Sequence, residues 1–175
     1  STIMTTDTSR TVEEFNKLSD KWTLWAHLPH DTDWSMKSYK QIYTVSTVEE
    51  TIAITETLPT ILVQNCMLFW MREGIKPTWE DPKNRNGGCF SYKLNKCLLE
   101  EKFFEVCAQV LGETLGKTSK YSENINGISI SPKKNYYIIR IWIKDNKYAS
   151  KNNYNIIIPK FSTLMYKNHA EEKGI

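Results

Sequence analysis

NYYIIRIWIKD, residues 135–145, alternates without a slip. Tyr137, Ile139, Ile141 and Ile143 fall on one face of a strand, and Ile138, Arg140, Trp142 and Lys144 fall on the other. A strand with one wholly apolar face suits an antiparallel sheet that is covered on one side only. The second face is then open, and an Arg beside a Trp on it marks a ligand surface or a rim.

Outward from this strand, GISIS (127–131) followed by Pro132 reads as its hairpin partner. Upstream, KCLLEEKFFEVCAQVLGE (96–113) places Leu99, Phe103, Val106 and Val110 at helical steps and stops on Gly112, with Glu100 and Glu101 suited to the positive end of the helix dipole. In STVEETIAITETL (46–58), Ser46 with Glu49 and Thr47 with Glu50 both fit a capping box, so a helix starts there. Pattern alone leaves open whether Val48, Ile52 and Thr55 form its inner or its exposed face. DKWTLWAHLPH (20–30) reads as a strand ended by Pro29, LVQNCMLFWMREG (62–74) as a strand into a turn, and GCFSYKL (88–94) as a further strand. Strands separated by two helices give an α+β chain, with the helices packed on one side of an antiparallel sheet.

Six Trp, nine Tyr and six Phe in 175 residues make the chain rich in aromatics, and a net charge of +3 is too mild for a general polyanion binder. Any basic surface is therefore local. Cys66, Cys89, Cys97 and Cys107 lack CxxC spacing and a His partner at zinc-finger spacing, and read as reduced thiols of a cytoplasmic or nuclear protein. His27 and His30 flank Pro29 with no further ligands converging, which argues against a metal. No apolar run approaches the roughly 20 residues that span a bilayer. The Ser/Thr-rich opening makes residues 1–14 a flexible segment ahead of a single domain over 15–175.

The loop GIKPTWEDPKNRNGGCF (74–90) carries Trp79 directly before two acids, and HDTDWSMK (30–37) carries Trp34. Pro77, Pro82, Asn84, Asn86, Gly87 and Gly88 forbid regular structure, so Trp79 either anchors the loop or waits for a ligand. Taken singly, each indole reads as an anchor. Together, two indoles can hold a flat ring, and a positively charged ring gains a cation–π contribution. A carboxylate beside that sandwich, such as Glu80, can accept the parallel N1–H and N2–H bonds of a guanine edge. No nucleophile and base pair accompanies these groups, so binding without catalysis and without a cofactor is expected.

With these residues in view, the chain resembles the eukaryotic translation initiation factor 4E family, the mRNA cap-binding proteins, from about Leu18 to His169. The likeness rests on KWTLW (21–25), Trp34, TVEE (47–50), GIKPTWEDPKNRNGG (74–88), VLGE (110–113), the strand ending in Trp142 and YKNHA (166–170). It implies a curved antiparallel sheet, with helices on the convex side and the cap held on the concave side. Trp34 and Trp79 would then clamp the methylated base, Glu80 would take its edge, and the Trp79 backbone N–H its oxygen. Trp142 would lie beside the methyl group, Lys133 would meet the triphosphate, and the loop of His169 would reach the first transcribed nucleotide.

The chain also departs from the family. Ile138 stands where a second phosphate-binding cation is expected, and Cys89 where a basic residue often follows the two glycines. Arg140, one alternation along the same strand face, is either the replacement cation or a solvated edge charge. Trp22, Trp25 and Trp70 read as core or sheet packing, and Lys133 with Lys134 could equally be a solvated turn. The convex helices would bind a helical peptide of the scaffold initiation factor or of a repressor through Leu18, Val48, Ile52, Phe104 and Glu105. Ile52 replaces the Trp expected there, so the usual partner affinity should be altered, and Pro159 points to a short or missing third helix. The expected function is recruitment of capped mRNA for translation initiation, by a monomer outside its complex. The alternatives are a cap-binding repressor and a scaffold that has lost cap binding.

Overall fold

The computed structural model describes residues 15–173. The segment 1–14, expected to be flexible, lies outside them. Seven strands, β1 (Lys17–His27), β2 (Tyr39–Thr47), β3 (Met67–Arg72), β4 (Gly88–Asn95), β5 (Ile125–Pro132), β6 (Tyr136–Ile143) and β7 (Met165–Asn168), form one sheet in the order β2-β1-β3-β5-β6-β4-β7. Every neighbouring pair is antiparallel, with register shifts in β1/β2 and β5/β6. Such irregularities bend strands and add to the twist of an open sheet. The α+β architecture expected from strands separated by helices is the one observed.

Tyr137, Ile139, Ile141 and Ile143 are all buried in the main core, together with Trp22, Leu24, Trp70, Phe90 and Leu94 from neighbouring strands. The helices α1 (Val48–Thr57), α2 (Thr60–Asn65) and α3 (Leu99–Leu111) cover this face. Leu99, Phe103, Val106 and Val110 of α3 are the buried stripe that their spacing requires. On α1, Ile54 and Leu58 turn to the core while Val48 and Ile52 stay exposed, which settles the orientation that the pattern left open. Short helices α4 (Ser119–Ser122) and α5 (His169–Lys173) complete the described elements.

Thr47 is the N-cap of α1, its hydroxyl accepting the Glu50 N–H at 3.1 Å. The Glu50 carboxylate reaches back to the Ser46 N–H and hydroxyl, both at 3.0 Å. Burial opposes the Glu50 charge, but the hydrogen bonds from Ser46, Tyr43 and Thr47 together hold its carboxyl below the usual range. Glu49 does not pair with Ser46. It accepts the Asn16 N–H instead and fastens the start of β1 to the helix. Thr47→Ala should lower the unfolding free energy by about 1 kcal/mol, read as a shifted urea midpoint at constant slope.

One sequence expectation is corrected. Residues 62–65 are helical, and β3 begins only at Met67. Pro59 breaks α1, and its carbonyl accepts the N–H of Leu62 at 3.0 Å and starts a new turn. At the end of α3 the left-handed residue is Glu113 (φ 59°) and not Gly112 (φ −80°). The short or missing third helix expected between Trp142 and Tyr166 is observed as two single 3-10 turns, Asn146–Tyr148 and Lys151–Asn153, in an Asn/Lys-rich segment that leads to Pro159.

Candidate functional site

The face of the sheet opposite the helices carries a smaller apolar cluster of Phe69, Met71, Ile75, Cys89 and Trp142, with Trp25, Tyr39 and Met67 packed against it. Trp22 and Trp70 are core residues and Trp25 packs on this face of the sheet, all three within the core or sheet packing expected. Above its floor opens a cleft of about 380 Å³. Trp34, Trp79, Glu80, Lys133, Arg140, Trp142 and His169 all line it, although they come from three loops, one strand and one helix start. Leu18, Val48, Ile52, Phe104 and Glu105 do not.

Trp34 sits on the β1–β2 connection, where short acid side chains brace the backbone. Asp31 accepts the Asp33 N–H at 2.9 Å, and Asp33 accepts the Ser35 N–H at 2.8 Å. The hydrogen bonds from Ser35 keep the Asp33 carboxyl below its ordinary range. The indole is 55% exposed, yet one face lies parallel on the His27 imidazole, with centroids 4.0 Å apart and planes 3° off. His27 is itself held by Nε2–H donating to the Asp33 carbonyl at 2.9 Å and by edge contact with Tyr39. A carbonyl can only accept, which fixes the tautomer. One face of Trp34 is thus supported, and a ligand ring can meet the other.

The two acids after Trp79 have separate tasks. Glu80 is exposed at the cleft, and Asp81 is buried beneath the loop. Asp81 accepts the N–H groups of Lys76 and Lys83, both at 2.8 Å, so its two oxygens tie the ends of the turn together. Buried Asn84 donates to the carbonyls of Lys76 (3.0 Å) and Thr78 (2.8 Å). Asn126 of β5 donates to the Lys83 carbonyl and to the Asn84 side chain, locking the loop to the sheet. At Gly87 a Cβ would stand 1.7 Å from the Ile143 carbonyl oxygen, and at Gly88 one would stand 2.2 Å from that of Lys167. The paired glycines therefore let the loop's exit run against β6 and β7.

Trp142 donates its indole N–H to the Ser129 hydroxyl at 3.1 Å and meets Phe69 edge-on. His169 is buried next to it, with ring centroids 5.5 Å apart. At the other end of the cleft, Arg140 donates to the Ser131 hydroxyl at 3.4 Å, and Lys133 stands exposed at the β5–β6 turn. Tyr39 lines the wall, and burial, followed by the nearby Glu80 charge, pushes its hydroxyl above the ordinary pKa. The arrangement offers two rings, one acceptor and two cations to a single ligand. Asp81, Asn84, Asn126 and His27 escaped the sequence reading. Asn84 and Asn126 are 42 residues apart and no local pattern connects them, whereas Asp81 and His27 act on backbone groups two to six residues away.

Residues 17–173 match the family model described as eukaryotic initiation factor 4E. The chain belongs to that family. Among initiation factor 4E relatives, factor 4E-2 of Schizosaccharomyces pombe is 32% identical over 73% of this chain and 54% of its own length. Factor 4E of Candida albicans is 32% identical over 76% of this chain and 68% of its own. The homolog of Acanthamoeba polyphaga mimivirus is 30% identical over 66% of this chain and 50% of its own. This chain thus spans about half the length of two of these relatives. Its fold is that of the family's solved structures. Caenorhabditis elegans eIF4E-3, in complex with the 4E-binding protein Mextli and a cap analog, superposes with a TM-score of 0.77 at 21% identity, over 92% of this chain and 96% of that one. Ascaris suum eIF4E-3 with m7G cap gives 0.67 at 23% identity, over 75% of each chain.

The five residues assigned to a partner surface lie on the helix-covered side. Glu105 pairs with Lys102 at 3.5 Å and lines a groove with Tyr92, Leu98 and Pro159. Leu18 packs on the core edge, Phe104 leans on Phe103, and Val48 and Ile52 stand exposed on α1. All four cysteines are free thiols. Among the described residues, no helix is long and apolar enough to cross a membrane.

Proposed function

We propose that this chain binds the 7-methylguanosine end of capped mRNA and recruits it for translation initiation, acting by binding alone. One observation carries the reading: both loop indoles, Glu80 and the cations Lys133 and Arg140 line one cleft of about 380 Å³ on the open face of the sheet. The methylated base stacks between the free face of Trp34 and Trp79, and its positive charge favours both indoles over other walls. Glu80 accepts the N1–H and N2–H donors, and the Trp79 N–H meets the base oxygen. Trp142 closes the methyl side.

Titration of the intrinsic Trp fluorescence tests this directly. Strong quenching by 7-methyl-GTP and weak quenching by GTP is the expected outcome. Equal responses would make the cleft a general nucleotide pocket and end the reading.

Arg140 supplies the second phosphate cation that Ile138 cannot. Arg140→Ala should weaken 7-methyl-GTP by about tenfold, the worth of one charge-assisted hydrogen bond of roughly 1.5 kcal/mol, and leave 7-methylguanosine unaffected. Unchanged triphosphate affinity would remove Arg140 from the site.

A helical peptide of a scaffold factor or a repressor docks on the other side, through Leu18, Val48, Ile52, Phe104 and Glu105. Ile52 is 51% exposed and is an aliphatic anchor where the resemblance expects a Trp. The missing Trp also favours a second reading, a cap-binding repressor that does not engage the usual scaffold. A pull-down with the scaffold peptide separates the two, since only the initiator retains it.

A further inference from the structure

The open face continues past the cleft along β4 and β6 in an ordered series that the roles above do not use. Lys93 pairs with Ile138, Ser91 with Arg140 and Asn95 with Tyr136. Because Tyr137, Ile139 and Ile141 are core residues, Tyr136, Ile138, Arg140 and Trp142 share the open face. The same alternation puts Lys93 there with Cys89, since Phe90, Tyr92 and Leu94 are in the core. Same-face side chains stand about 7 Å apart along a strand, so from Trp142 the strip reads ring, guanidinium, aliphatic and ring over roughly 20 Å. The Lys93 ammonium sits 4.5 Å from the Tyr136 ring centroid. At the turn, the Lys133 N–H donates to the Tyr136 carbonyl at 2.8 Å. Arg140, Lys133 and Lys93 thus gather at this end, and β4, β5 and β6 contain no Asp or Glu.

We propose that this strip receives the RNA chain that follows the cap, with Lys93 on a backbone phosphate and Tyr136 stacking one of the leading bases. The inference rests on the cap reading of the cleft. A triphosphate held at Lys133 and Arg140 delivers the next nucleotide to the side of the cleft away from Trp142, where these two residues begin. His169 stands at the opposite end and is 3% exposed, so its side chain has little surface to give a nucleotide. Lys93 lies over a ring that a base can occupy once the ammonium swings to a phosphate. Positive charge, an aromatic platform and continuity with the cleft match single-stranded nucleic acid.

Three probes test the strip on the full chain: 7-methyl-GTP, an unstructured ten-nucleotide RNA carrying the cap, and the same RNA uncapped. Wild type should bind the capped RNA about tenfold more tightly than 7-methyl-GTP. Lys93→Glu and Tyr136→Ala should each remove most of that excess without changing 7-methyl-GTP affinity, and Tyr136→Phe should keep it. Lys93→Ala should also reduce the salt slope of capped-RNA binding by about 0.7, the value for one phosphate contact on a single strand. Equal wild-type affinities for capped RNA and 7-methyl-GTP, or variants that keep the excess, would overturn the strip and leave the cap reading standing. Failure of 7-methyl-GTP itself to bind would overturn both. Displacement of the RNA body by a polyglutamate peptide at equal concentration would reassign the surface to an acidic protein segment.

Discussion

Trp79→Ala is expected to weaken 7-methyl-GTP binding by at least a hundredfold while leaving the fold intact. The indole is half-buried at the cleft on a loop whose shape is held by Asp81, Asn84 and Asn126 through hydrogen bonds to the backbone of Lys76, Thr78 and Lys83. A base stacked on an aromatic is worth about 1–3 kcal/mol, and the charge of the methylated ring adds about 2 kcal/mol once it is desolvated. The sum is about 3 kcal/mol at its low end, and each 1.4 kcal/mol is tenfold in affinity. GTP lacks the cationic ring and should lose less, so the ratio of the two ligands falls together with the affinity. Glu80→Gln tests the other half of the recognition. It keeps size but replaces one acceptor by a donor that faces the guanine N–H groups, and it should also cost more than tenfold. Calorimetric titration of both variants is the measurement, and retention of wild-type affinity by Trp79→Ala would remove the sandwich.

The second large effect lies away from the cleft. Arg72→Ala should destabilise the protein by about 3–5 kcal/mol, because removing one partner of a largely buried ion pair strands the other. Every donor direction of this guanidinium is used. Nε donates to the Ile125 carbonyl at 2.8 Å, and Nη1 and Nη2 clasp Glu113 at 2.7 Å each. Nη2 also donates to the Ser122 carbonyl at 2.9 Å, and Nη1 meets Asp20 at 3.3 Å. The group lies 4.5 Å from the Trp22 ring centroid and is only 12% exposed. It thereby ties β1, β3, β5, α4 and the end of α3 together, and it holds Glu113 in a left-handed conformation that costs a non-glycine residue about 1 kcal/mol or more. Lysine offers a point charge in place of a planar fork, so Arg72→Lys should recover little of the loss. Urea denaturation measures the stability, and 7-methyl-GTP affinity of the folded variant should stay at the wild-type value because Arg72 does not line the cleft.

Where the pattern was local, the chain could be read directly. The buried stripe of α3 and the two faces of β6 follow from steps of three or four and of two residues, and the Thr47 cap from a side chain three positions from its partner. The reading failed where a neighbour in sequence was not the deciding neighbour in space. Residues 62–65 run straight into the apolar stretch of β3 and read as its start, yet the Pro59 carbonyl accepts the Leu62 N–H and opens a helical turn there. Gly112 stops α3 as the sequence signals, but no local pattern shows that the left-handed residue after it, Glu113, pairs with Arg72, 41 residues away.

The same division runs through the site. Sequence alone determined which residues are available: two indoles on loops too rich in Pro, Asn and Gly to be regular, an acid beside one of them, and an Arg and a Trp on the polar face of one strand. Only the tertiary structure decided that Trp34 has one face occupied by His27, that Asp81 builds the loop while Glu80 faces the cleft, and that Lys93 and Tyr136 extend the open face beyond Arg140. The reason is one of range. Side-chain type and periodicity are fixed within a few residues of chain, whereas stacking faces, buried hydrogen-bond partners and cross-strand neighbours come from segments that meet only when the sheet has closed its register.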